Sequence, residues 1–429
     1  MHIAMLSGEY PPRWGGMGSV VFHLASHLAE RGHRITVITR KHGDAASNSK
    51  LIPSVEGVKV LMVPWLPLPM AFTRSYGNKA MKALRALHKL DPVDVVHLHL
   101  PMISLTSKQV GRIRKEIAPV VSSLHGSWLG ERDGMKLAAK YRESATWRNP
   151  NDLAILLTGG WYARYEGSAA RESDVCVANS FATKSDFVDR YKLNPDSCKV
   201  VHWGVDVKIF RPLNQDYEEE QVAHEELREK FDCADEDSLD GKPTTKKPLI
   251  LAVGRLVARK GFMTLIRSMP MVLSKNPGAR LVIVGRGQMK KKLLKQAKKL
   301  GIEHAVFIHS GMSFDRLAQL YRSADLVAYP SYYEGQGLIP LEAMASGTPV
   351  VTVDHGPLPE MVNDEVGRLY TLGKPESLAS AICSELESPE RIATKALAGR
   401  SLVLDKFTFD HNAESFIEIF ESVISENNA

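Results

Sequence analysis

Apolar and polar positions alternate in blocks along this chain. Met1–Leu6 is a strand-like apolar run, followed by a glycine-rich loop and a helical pattern with Val20, Val21, Leu24, Ala25 and Leu28 on one face. Gly32 ends that pattern, and Arg34–Thr39 is the next β-branched run. Val58–Val63, Val93–Leu98, Val120–Leu124, Val175–Ala178 and Lys199–Val201 continue the series at helix-length intervals. Strands alternating with helices predict βαβ units and a mainly parallel sheet.

Residues 213–248 interrupt the rhythm. A charged helical stretch from Tyr217 to Phe231 passes into the polar segment Asp232–Lys247, which reads as a flexible loop. Its Asp235-Glu236-Asp237 has the form of a DxD metal motif, but the favoured reading is an acidic loop tip that binds nothing. A second series follows, with strands at Leu249–Val253, Ala279–Val284, Ala305–His309, Leu326–Tyr329 and Thr348–Val353. Two successive parallel sheets without a short repeat predict an α/β protein with two Rossmann-like domains. The expected N-terminal domain is 1–205 and the C-terminal domain 206–406, with a flexible insertion near 232–247. The last segment, 407–429, carries Ala413, Phe416, Ile417, Phe420, Val423 and Ile424 at helical spacing and must dock on a core.

Composition narrows the class. With 429 residues, 44% of them apolar and 24% charged, the chain is neither fibrous nor wholly disordered. Its four cysteines are scattered, which fits a reducing compartment rather than a disulfide framework or zinc site. The opening residues lack a signal-peptide pattern and no apolar run reaches the length of a membrane span, so a cytoplasmic protein is expected. The charge is uneven, net +10 over residues 1–205 and −4 over the rest. A basic half can sit peripherally on the anionic inner face of a membrane or simply be solvated; nucleic acid is not an expected partner.

Three patches carry chemistry. Gly15-Gly16-Met17-Gly18 lies between the first strand and its helix, where backbone N–H groups can approach phosphate. It is not the dinucleotide fingerprint GxGxxG. Arg255 and Lys260 follow a strand's carboxyl end, at the predicted start of a helix, and two cations there can neutralise a diphosphate. Glu334 and Glu342 flank the turn Gly335-Gln336-Gly337, which can offer N–H groups to phosphate while the glutamates accept hydrogen bonds from sugar and ribose hydroxyls. His97 and His99 share a strand face; a metal there is the less favoured reading.

Taken in order with Asp94-Val95-Val96-His97, Leu124-His125-Gly126, Gly204-Val205-Asp206, Phe210-Arg211-Pro212, Gly356, Pro359-Glu360, Gly367 and Phe407-Thr408-Phe409-Asp410, these motifs resemble the retaining glycosyltransferases of GT-B fold, family 4, over nearly the whole chain. The resemblance implies two Rossmann-like domains facing a central cleft, with the final helix crossing back onto the first. It implies a nucleotide-sugar donor held by Arg255, Lys260, Glu334, Gly335, Gly337, Leu338 and Glu342. Within that set Arg255 and Lys260 hold the diphosphate, Glu334 the sugar and Glu342 the ribose. His125 would stand at the reaction centre, and Gly15 and Gly16 would close over phosphate or acceptor. Many relatives have Phe where this chain has Gln336, so sugar identity transfers less well than nucleotide binding. Residues 126–174, with Trp128, Trp147, Trp161, Tyr162 and Tyr165, line the acceptor side or form an aromatic core cluster.

The expected activity is transfer of a hexose from a nucleoside-diphosphate sugar to a sugar, small-molecule or lipid-linked acceptor, with retention and without a catalytic metal or other cofactor. A sugar-nucleotide epimerase or hydrolase of the same architecture, and a non-catalytic nucleotide-sugar-binding module, remain as alternatives. Acceptor-dependent release of nucleoside diphosphate and donor turnover discriminate them.

Overall fold

The computed structural model describes residues 1–12, 15–41, 52–68, 71–144, 150–214, 216–233 and 247–428. Trp147 and the Asp235–Asp237 motif lie outside them. The chain divides into two compact units: 1–133 with 147–204 and 409–429, and 134–146 with 205–408.

The first unit is built on seven parallel strands: β1 (His2–Leu6), β2 (Arg34–Arg40), β3 (Val58–Val63), β4 (Val95–Leu100), β5 (Val120–Leu124), β6 (Val175–Ala178) and β7 (Cys198–Val200). Their order is β3-β2-β1-β4-β5-β6-β7. β1, β4 and β5 are buried along their whole length, which is why they show no polar-out alternation: His2, His97, His99, Ser122 and Ser123 are buried with their apolar neighbours. The helices are α1 (Gly16–Glu30), α2 (Phe72–Leu90), α3 (Ser107–Glu116), α5 (Pro150–Glu172) and α6 (Phe181–Tyr191), together with the first turns of α4 (Trp128–Lys140), which from Gly134 on belongs to the second unit. Thr106 and Gln109 form a reciprocal capping box at the start of α3.

The second unit has six parallel strands: β8 (Leu249–Val253), β9 (Arg280–Val284), β10 (Val306–His309), β11 (Leu326–Tyr329), β12 (Val350–Val353) and β13 (Gly367–Tyr370), in the order β10-β9-β8-β11-β12-β13. The edge strand β13 is not apparent in the sequence, because four residues with a half-exposed Arg368-Leu369 centre make no apolar run. Helices α7 (Glu218–Lys230), α8 (Phe262–Lys275), α9 (Lys290–Lys299), α10 (Phe314–Ser323), α11 (Leu338–Ala345), α12 (Pro375–Leu386) and α13 (Pro389–Lys406) complete it. Val205 and Thr408, where the chain enters and leaves the unit, pair as an isolated parallel bridge.

The last helix, α14 (Phe409–Asn428), packs on α1 in the first unit. Ala413, Phe416 and Phe420 are fully buried, and Arg31 of α1 donates to Asp410 at 2.8 Å.

Residues 134–146 correct the expected boundary, since they lie inside 1–205 yet belong to the second unit. The reason is Glu143. Its fully buried carboxylate accepts hydrogen bonds from the backbone N–H groups of Met263 (2.9 Å) and Thr264 (2.8 Å), from the Thr264 hydroxyl, and from Tyr332 Oη at 3.2 Å. These satisfy orphan donors at the start of α8, a role normally filled by a local cap. The aromatic residues divide likewise. Trp128 and Tyr162 are core residues with ring centroids 5.6 Å apart, whereas Trp161 is 48% exposed.

Candidate nucleotide-sugar site and histidine centre

In each sheet the strand order reverses at one point, between β1 and β4 in the first unit and between β8 and β11 in the second. Ligands of open α/β sheets bind beyond the carboxyl ends of strands at such points. The candidate residues collect there.

In the second unit, Arg255 follows β8 and is exposed, with no side-chain partner among the described residues. Lys260 is not at the start of an α-helix as expected. It closes a short 3-10 turn, Ala258–Lys260, and α8 begins only after Gly261. Gly261 has φ +73°, and a Cβ there would lie 1.9 Å from the Pro330 carbonyl, so a side chain fits neither the backbone conformation nor the space. This turn buries Lys260 to 8% exposure. Its Nζ donates to Tyr329 Oη at 3.0 Å and forms an ion pair with Glu334 Oε1, on the loop after β11. Tyr329 Oη, at the end of β11, also donates to Glu334 Oε1 at 2.5 Å. Burial by itself would raise the Glu334 carboxyl, but the Lys260 and Arg259 charges outweigh it and hold the group at about 2. Burial draws the Lys260 ammonium down to about 8 against the pull of Glu334, with Arg259 and Arg255 adding to the depression. Both groups are charged at neutral pH.

Gly337 (φ +112°) turns the chain into α11, whose N-terminus has no side-chain cap; Leu338 is its first residue. Glu342 lies one turn on and its Oε2 accepts from Tyr321 Oη at 2.7 Å. Burial pushes the Glu342 carboxyl up to about 7, the tyrosine bond opposing it. Gln336 is buried, with Nε2 3.8 Å from Met361 Sδ. Tyr321 and Tyr329, the partners of the two glutamates, escape sequence reasoning because Tyr321 sits on the apolar face of α10 and Tyr329 ends the apolar run of β11, and both read as core.

In the first unit, Gly15 is the N-cap of α1 and Gly16 its first residue; a Cβ on Gly16 would meet nothing within 4 Å. His125 follows β5. Its Nε2 lies 2.9 Å from Nδ1 of His99, near the end of β4. The indole of Trp203 stacks on the His125 ring at 5.0 Å and 12°. His97, two residues before His99, bonds Ser123 Oγ through Nε2 at 2.7 Å. Burial lowers all three imidazoles, His97 and His125 to about 3 and His99 well below its ordinary value, so the rings are neutral. Beyond His125, the start of α4 is capped from elsewhere. Glu166 Oε2 accepts from Trp128 N at 3.1 Å, Tyr191 Oη from Leu129 N at 3.2 Å, and Ser127 Oγ from Gly130 N at 2.8 Å. Among the described residues no group of three or more His, Cys, Asp or Glu has an arrangement that could hold a metal ion, and no helix is long and apolar enough to cross a membrane.

Comparison with known proteins gives the family and the fold. Residues 14–209 match the family Glycosyltransferase Family 4, and residues 235–397 match Glycosyl transferases group 1. An uncharacterised glycosyltransferase of Methanocaldococcus jannaschii is 28% identical over 98% of both chains. Among solved structures, sucrose-phosphate synthase of Thermosynechococcus elongatus superposes with a TM-score of 0.76 at 20% identity, covering 99% of each chain. Anabaena HepE in complex with UDP-glucose gives 0.69 at 21% identity, covering 98% of this chain and all of the other. With two Rossmann-like units, the family's motifs in order and these relatives, the chain belongs to the family 4, group 1 glycosyltransferases of GT-B fold.

Proposed function

We propose that this glycosyltransferase moves a hexose from a nucleoside-diphosphate sugar to an acceptor hydroxyl with retention of anomeric configuration. The observation that carries the reading is the buried Lys260–Glu334 pair at the strand-order reversal, with exposed Arg255 on the same side and Glu342 on α11. A diphosphate draws Lys260 away from Glu334, and Arg255 adds a fork of donors. Glu334 is then free to accept from sugar hydroxyls, Glu342 takes the ribose, and the N–H groups of Gly335, Gly337 and Leu338 face phosphate. The complex of HepE with UDP-glucose, a protein of the same fold, supports this class of donor.

The reaction breaks the bond between the anomeric carbon and the diphosphate oxygen and forms one to the acceptor oxygen on the same face. Positive charge grows on the sugar ring while negative charge grows on the leaving diphosphate, and the second is what Arg255 and Lys260 stabilise. The acceptor proton passes to the departing phosphate oxygen. His125 contacts the donor sugar, and the open side of Gly16 lets phosphate or acceptor reach the start of α1. Thermal shift with UDP-, GDP- and ADP-sugars selects the base. Incubation with acceptors then tests the reaction: acceptor-dependent release of nucleoside diphosphate and an α-linked product from an α-linked donor are expected, and an inverted product overturns retention. Release without acceptor favours a hydrolase, and absent turnover of every donor favours a binding module.

We also propose an anionic membrane as the surface on which the first unit meets its acceptor. Exposed Lys79, Lys82 and Lys89 on α2 and Lys108, Arg112 and Lys115 on α3 supply charge, and α5 exposes Leu153, Leu157 and Trp161 at four-residue spacing.

A further inference from the structure

His125 is held in two directions. Stacking on Trp203 sets the plane of its ring, and the hydrogen bond to His99 sets the rotation within that plane. Both His99 and His97 are fully buried, and their rings lie 4.2 Å apart. A single proton lies between His99 Nδ1 and His125 Nε2, since both rings are neutral, and two arrangements are open. If His125 donates, His99 carries its own proton on Nε2, which is buried without a partner. If His99 donates, that buried nitrogen bears only a lone pair. An orphaned buried N–H is the rarer defect in proteins. The second arrangement leaves His125 with its proton on Nδ1, the nitrogen that has no partner among the described residues.

We propose that His99 is a positioning residue that locks His125 in the Nδ1–H tautomer, so that His125 presents a hydrogen-bond donor to an oxygen of the bound sugar. This rests on the transfer reading for its use, but the tautomer itself is a property of the free protein. A donor at this place suits an electron-rich hydroxyl or ring substituent and excludes His125 as the base that takes the acceptor proton. That assignment agrees with a proton passing to the leaving phosphate.

The test uses the full chain labelled with nitrogen-15 histidine. Long-range proton–nitrogen spectra report which ring nitrogen carries the proton, and His125→Asn identifies the signals. The wild type is expected to show Nδ1–H at His125. His99→Leu should lose that preference and lower kcat by about 10- to 100-fold, the size of loss seen when the partner that orients a metal-bound histidine is removed. The affinity for UDP alone should stay unchanged. His99→Asn, whose amide nitrogen can take the place of Nδ1 and still donate, should restore both tautomer and most of kcat. An Nε2–H signal at His125 in the wild type overturns the proposal, as does an unaltered tautomer in folded His99→Leu. If His99→Leu does not fold, the wild-type spectrum and His99→Asn still decide. A wild type that turns over no donor sinks the transfer reading and leaves the tautomer result standing.

Discussion

Phe416 of α14 lies flat against the Trp203 indole, with ring centroids 5.3 Å apart and 9° between planes. Trp203 in turn stacks on His125, so the last helix of the chain backs the histidine centre through one intervening ring. Both Phe416 and Phe420 also touch the His97 ring, at 5.0 and 5.4 Å. Phe416→Ala should therefore cost about 3–5 kcal/mol in denaturant unfolding of the first unit. It should also lower kcat while leaving calorimetric UDP affinity nearly intact, because Arg255, Lys260 and Glu342, the side chains proposed to hold the nucleotide, belong to the second unit. Loss of stability with unchanged kcat would show that the column is structural only.

Lys260→Ala removes the proposed charge-assisted contact to the diphosphate, worth roughly 1.5–3 kcal/mol of binding. It also strands Glu334 as a buried carboxylate without its ion-pair partner. The variant should bind UDP more weakly by calorimetry, turn over slowly and melt earlier. Normal affinity together with normal turnover would remove Lys260 from the site.

Glu334 and Glu342 should separate in their effects. Glu334→Gln should lower turnover with little change in UDP affinity, and Glu342→Gln should weaken UDP itself; the reverse pattern exchanges their roles. Proton linkage gives a second readout. The Glu342 carboxyl lies near 7 in the free protein, and hydroxyls that donate to it favour the ionised form. UDP binding should release a proton near neutrality and weaken as pH falls through 7, and Glu342→Gln should abolish that linkage beyond the contribution of UDP itself. Calorimetry in buffers of different ionisation enthalpy reads the proton.

The buried histidines make the first unit acid-sensitive. The folded-state values of His97 and His99 lie below 6.5, so the unfolded chain takes up protons first as pH drops. Their contribution is fully present above pH 6.5 and declines below it, by up to about 1.4 kcal/mol per pH unit for each ring. The melting temperature should fall between pH 6.5 and 5, and His97→Asn should flatten that slope. An equal slope in the variant would assign the acid sensitivity to other groups.

Liposome co-sedimentation tests the membrane proposal. The protein should pellet with anionic vesicles, not neutral ones, and leave them at high salt, since each basic residue adds about 1 kcal/mol at most and the Debye length is about 8 Å at physiological ionic strength. Charge reversal at Lys79, Lys82 and Lys108 should abolish pelleting. Equal, negligible pelleting with both vesicle types at low salt would remove the membrane and leave glycosyl transfer untouched.

Much of this protein can be read along the chain because its determinants are local. Buried parallel strands leave mainly apolar runs, unbroken in β8, and amphipathic helices leave a period of 3.6, so two α/β units emerge from the pattern of residues. The glycine-rich turn and the paired glutamates sit within a few residues of one another, and spacing exposes them. The rest depends on partners brought together by folding. Glu143 joins the second unit through N–H groups 120 and 121 residues away, which no local pattern records. Nothing in the order of residues pairs Lys260 with Glu334, Tyr321 with Glu342, or His99 with His125. A buried charge or imidazole must find its partner wherever the sheet places one, because leaving it unpaired in a low-dielectric interior costs more than the chain can tolerate. The strand order decides where that is.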